Sequence, residues 1–86
     1  MRELERILKA LANKRRLAIL KYLKTKREAP VADIAEEIGL SFKATSKHLV
    51  ILSAVDILEK EQRSLQIFYR LSQTPKSAAR HIVSLL

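Results

Sequence analysis

The stretch DIAEEIGLSFKATSKHLVIL, residues 33–52, decides the fold. Val31, Ile34, Ala35 and Ile38 recur at i, i+3, i+4 and i+7, the apolar stripe of a short helix. Gly39, the only glycine in the chain, is its natural C-terminal stop. Ser41 caps a following helix in which Thr45, Leu49 and Leu52 share a face. Lys43, Ser46, Lys47 and Val50 fall on the opposite side of that helix. Two helices joined by a tight glycine turn, at about 31–55, form a helix-turn-helix. The second helix of such a unit lies in the DNA major groove.

Downstream the period changes from 3.6 to 2. Leu65, Ile67, Tyr69 and Leu71 alternate with Gln66, Phe68 and Arg70, which is strand spacing. Ile57 to Glu61 supplies a second strand, with the turn at Gln62-Arg63-Ser64. The expectation is a two-stranded wing over about 57–72. Upstream, Leu4, Ile7, Leu8 and Leu11 mark an amphipathic helix over 2–12. Asn13 caps the next helix, which turns Leu17, Ile19, Leu20 and Leu23 inward and ends in the polar stretch Lys24–Ala29. Pro75 opens a last helix over 75–86, with Ile82, Leu85 and Leu86 apolar. The fold class is therefore mainly α with a small β-hairpin. The architecture is a single winged helix-turn-helix domain, 1–86, of five helices and a two-stranded wing.

Composition narrows the chemistry. Eighty-six residues make one domain, and 48% hydrophobic residues supply a core. A chain this short buries a modest fraction of its surface, so a partner subunit would stabilise it. Seventeen Lys and Arg against nine Asp and Glu leave a net charge of +8, suited to a partner bearing phosphates. Ten of the basic residues lie within residues 1–30, including Lys14-Arg15-Arg16. With no Cys there is no disulfide framework, thiolate metal site or thiol nucleophile. With one Gly there is no glycine-rich phosphate cradle. No apolar run exceeds four residues, which fits no membrane span and no signal peptide, so a cytoplasmic location is expected. Enzyme chemistry has no foothold. Ser46 and His48 stand two apart on a helix and face different sides, and Glu36 and Glu37 diverge.

The segments LKALANKRRLAIL, DIAEEIGLS, TSKHLVIL and FYRLS stand in one ungapped register from Leu8 to Ser72. In that register the chain resembles the ArsR/SmtB family of winged-helix regulators. The resemblance implies a homodimeric repressor that binds double-stranded DNA, with the first and last helices pairing across the dimer. Leu4, Ile7, Leu8, Ile82 and Leu85 are then the interface candidates. It also implies release from DNA by a metal or other effector in many members. This chain departs there: the metal-binding cysteines of the family are replaced by Pro30 and Ala32, flanking Val31. The last helix offers His81 and no carboxylate, so no metal ligand set and no cofactor are expected, and no residue marks an effector site.

The DNA-binding candidates are Ser41, Lys43, Thr45, Ser46, Lys47 and His48 on the second helix, with Lys60 and Arg63 on the wing. Lys43 and Lys47, with Arg63 and Lys60, would neutralise phosphates; Ser41, Ser46 and His48 would add base or backbone hydrogen bonds. His48 has two readings: a contact to phosphate or base, or packing beside Ala44 and Ile51. Arg15 and Arg16 either meet phosphate at a helix N-terminus or pair with Glu3 or Glu5. Phe42 stands where the family often has Gln. It either packs with Thr45 and Leu49 or touches a thymine methyl. Val50, Ser53 and Ala54 stand where the family commonly has charges, and Val50 and Ala54 are left as exposed apolar positions open to a partner. Asp56 and Ser64 occupy positions where the family favours Gly at the helix exit and in the wing. The alternative function is a winged-helix protein-interaction module with weak or non-specific nucleic-acid binding.

Overall fold

The computed structural model describes residues 1–73 and 77–86. The chain runs α1 (Arg2–Leu11), α2 (Lys14–Lys26), β1 (Glu28–Pro30), α3 (Val31–Ile38), α4 (Phe42–Ala54), β2 (Leu58–Arg63), β3 (Gln66–Leu71) and α5 (Ser77–Ser84). The start expected at Pro75 for the last helix lies outside the described residues.

Local chemistry sets the helix ends. The Asn13 side chain accepts from the backbone N–H groups of Arg15 and Arg16 at 2.9 and 3.1 Å, starting α2. Ser41 accepts from Ala44 N–H at 3.1 Å, starting α4. Gly39 closes α3 in the left-handed region at φ 69°, where its missing Cβ removes the steric cost. Asp56 and Ser64 adopt φ of 60° and 56°, so both occupy the conformation for which glycine is the usual choice. Lys24 of α2 donates to the carbonyls of Val83 and Leu86 at 3.3 and 3.1 Å, a cation at the end of α5.

The sheet corrects the expectation of two strands. It has three, in the order β1-β3-β2, all antiparallel. Glu28, Ala29 and Pro30 pair with Arg70, Tyr69 and Phe68. The proline sits on an edge strand, where its missing N–H costs the sheet nothing. The hairpin is also longer: Gln62 and Arg63 belong to β2, and the turn is at Ser64-Leu65.

The core gathers Ile19, Leu20 and Leu23 of α2, Ile34 of α3, Leu49 and Leu52 of α4, and Ile57, Leu58 and Tyr69 beneath the sheet. Truncating any of the fully buried leucines to Ala costs about 2–5 kcal/mol. Helices α1 and α5 pack together over one end of this core. Ile7 is buried within the protomer's own core at 3% exposure, against the expectation that it forms a dimer contact. Leu4, Leu8 and Leu85 remain exposed, and Ile82 packs partly buried against the core.

Candidate nucleic-acid interface

Helix α4 stands on α3 and α2 with Thr45, Leu49 and Leu52 inward. The helical period then directs Phe42, Lys43, Ser46, Lys47, Val50 and Ile51 outward, where they line one shallow open groove. Lys43 and Lys47 are exposed and Ser46 is half-buried. Ser41 spends its hydroxyl on the cap, accepting the Ala44 N–H. These residues form a single presenting face, held rigid by the packing beneath it.

Thr45 does not belong to that face. It is 0% exposed, so its expected DNA contact is corrected: the side chain lies in the core beside Leu49 and Leu52. Its hydroxyl has no hydrogen-bond partner among the described residues. Phe42 departs from core packing in the opposite sense and is 60% exposed. It is the first residue of α4, and the Cα–Cβ bond of a helical residue tilts toward the N-terminus. Its side chain lines the outer groove with Ser46 and Val50.

His48 lies at the flank of α4, half-buried. Its Nδ1 is 3.2 Å from Arg16 Nη1. The guanidinium has no acceptor lone pair, so Arg16 donates, and the neutral ring keeps its proton on Nε2. Burial, then the charges of Arg16 and Arg15, hold the imidazole pKa below its usual range. Arg16 also donates to the Ala10 carbonyl at 2.6 Å, and Arg15 to the Ile38 carbonyl at 2.9 Å. Both arginines thus tie helices together. The sequence points instead to phosphate or to Glu3 and Glu5, because backbone carbonyls leave no mark in composition.

The wing separates its two candidate cations. Strand alternation puts Lys60 on the face of Leu58 and Tyr69, and Arg63 on the face of Glu59 and Glu61. Lys60 is exposed. Arg63 is held by Glu28 in a two-pronged pair at 2.6 and 2.9 Å, by Glu61 at 3.2 Å, and over the Phe68 ring at 4.5 Å. Arg70 joins the same network through Glu59 and Glu61. The bonds from Arg63 hold the Glu28 and Glu61 carboxyls below the ordinary carboxylate range. Arg63 is therefore already neutralised within the sheet. The missed signal is Glu28, whose role depends on an edge strand that reads in sequence as a polar stretch.

Among the described residues, no group of three or more His, Cys, Asp or Glu comes together to hold a metal ion, and no helix is long and apolar enough to cross a membrane.

Comparison with known proteins agrees with this geometry. The sequence pattern described as a helix-turn-helix domain matches residues 11–61. The transcriptional activator HlyU of Vibrio cholerae is 36% identical over 72 residues, covering 84% of this chain and 66% of that protein, just under two thirds of its length. The structure of reduced HlyU from that organism superposes with a TM-score of 0.82 at 31% identity, covering 98% of this chain and 84% of the other. The homodimeric winged helix-turn-helix DNA-binding domain of Mb0332 from Mycobacterium bovis, a possible ArsR-family regulator, gives 0.82 at 30%, covering 96% and 74%. The transcriptional repressor BigR from Xylella fastidiosa gives 0.79 at 29%, covering 99% and 83%. The chain belongs to the helix-turn-helix domain family, and within it to the winged helix-turn-helix regulators of the ArsR/SmtB type.

Proposed function

We propose that this chain is a sequence-specific DNA-binding transcriptional regulator that acts as a homodimer. The observation that carries the reading is the free outer face of α4, with Lys43 and Lys47 exposed on either side of Ser46 and the opposite face locked into the core. A rigid helix with cations outward matches the width of the major groove and the charge of its phosphate walls. Two such helices, related by a two-fold axis, would enter successive grooves about 34–36 Å apart on a near-palindromic site. Lys60 on the wing would add a phosphate contact beyond the half-site.

The dimer reading rests on Leu4 and Leu8 of α1 and on Leu85 just beyond α5, apolar side chains left exposed beside two helices that pack together. Ile82, beneath them, would set the angle of α5. Burying this patch against a second copy removes it from water and adds the stability a short chain lacks. Repression by occluding a promoter is the regulatory outcome we infer, supported by the BigR likeness; the HlyU likeness, to an activator, makes the opposite sign the alternative. The chemistry needs neither metal nor enzyme activity.

The test is fluorescence anisotropy with the DNA upstream of the gene against a scrambled duplex of equal length, at low and near-physiological salt. A preference of roughly 10³-fold or more for one sequence is expected of a specific regulator. Equal affinities that both collapse with salt would leave only charge acting on that DNA. The interaction-module reading would then move ahead, on the strength of exposed Phe42 and Val50.

A further inference from the structure

Phe42, Ser46 and Val50 recur every four residues along the outer face of α4, with Phe42 60% and Val50 57% exposed. They line one shallow groove together with Lys43 and Lys47. Leaving two large apolar side chains in water is costly unless something covers them. What covers them must be compatible with lysines at 43 and 47. It must also suit a helix, residues 42–54, that has no acidic residue at all. A polyanion meets that condition.

The same helix has no Arg, Asn or Gln, so Lys43 and Lys47 alone among its side chains could read guanine or adenine by the usual paired hydrogen bonds, and both are given to phosphates above. The major groove offers one apolar feature, the C5 methyl of thymine. Resting on the DNA-binding reading above, we propose that Phe42 and Val50 read thymine methyl groups and set the sequence preference of this chain. Eight residues of helix rise about 12 Å. At about 3.4 Å per nucleotide along a strand, the two side chains address bases roughly three to four steps apart. The preferred half-site therefore carries two thymine-bearing pairs at that spacing. Lys43 and Lys47 hold the register through the phosphates.

The experiment leaves the protein untouched. A duplex is selected from a random pool by the full chain and resynthesised with deoxyuridine in place of each thymidine in turn. The change keeps every Watson–Crick hydrogen bond and removes one methyl. Two positions per half-site, three to four steps apart, lose about fourfold in affinity, the worth of one buried methyl. Phe42→Ala becomes indifferent to deoxyuridine at one of them and Val50→Ala at the other. Both positions are exposed, so each variant keeps the fold. Equal binding of thymidine and deoxyuridine duplexes at every position overturns methyl readout while leaving sequence-specific binding intact. A pool that yields no enriched sequence overturns the DNA-binding reading itself, and the proposal with it.

Discussion

Arg16 Nη1 of α2 donates to Nδ1 of His48 on α4 at 3.2 Å, while Arg16 Nε holds the Ala10 carbonyl of α1 at 2.6 Å. One side chain thereby fixes the presenting helix to the two helices behind it. The arrangement requires a neutral imidazole at 48, which burial and the neighbouring guanidinium groups enforce. Protonation would remove the acceptor and place a cation against Arg16.

The pH dependence follows. His48 has a lowered pKa in the folded chain and an ordinary one, about 6.5, when unfolded. In the window from about 6.5 down to the lower folded value, the unfolded state holds more protons. Stability then falls as pH is lowered through that window. Thermal melts from pH 7.5 to 5 should show a declining Tm, with a shallower decline in His48→Gln. Identical slopes in both proteins would show that His48 does not carry the dependence.

Thr45→Val should raise stability by about 1 kcal/mol, because it replaces a buried hydroxyl, unpaired among the described residues, with a methyl of the same shape. For a domain of this size that is about 4–8 °C in Tm. DNA affinity should not change. A variant that keeps its Tm and loses DNA binding would return Thr45 to the groove.

The wing carries a second prediction about charge. Replacing Glu28 and Glu61 with Gln removes the carboxylates that hold Arg63. The freed guanidinium should tighten binding at low salt. The plot of log affinity against log salt should steepen by up to about one unit per released cation. Affinity unchanged at low salt would mean the wing stands clear of the phosphates.

Leu8→Glu should convert a dimer to a monomer in sedimentation velocity. Leu8 is 47% exposed, so the protomer's fold survives the charge. Affinity for a two-half-site duplex should drop steeply, while a single half-site should be bound as weakly as before. A variant that still sediments as a dimer would move the interface away from α1.

Much of this is legible in the sequence, for identifiable reasons. Stripes at helical spacing, the Asn13 and Ser41 caps and the Gly39 stop are local signals, and each stands where the spacing predicts. Strand β1 is not legible. It is three residues long, contains a proline, and pairs with Tyr69, forty residues away in the chain. The Arg63–Glu28 pair depends on that strand and is hidden with it. Phe42 reads as a neighbour of the Thr45 and Leu49 stripe, yet it stands at the edge of that stripe and is 60% exposed. Thr45 reads as polar and therefore as a contact, but its helical phase puts it inside.

The most direct measurement is the affinity of Lys43→Ala/Lys47→Ala for a selected duplex and its scrambled counterpart, with the dimer mass followed in parallel. Both lysines are exposed, so the fold and the dimer should persist. Selected-site affinity should fall by about 10²-fold or more. The salt slope should fall by about 0.9 for each phosphate contact removed. Undiminished binding by this variant, with the dimer intact, would contradict the assignment of α4 as the DNA-reading helix.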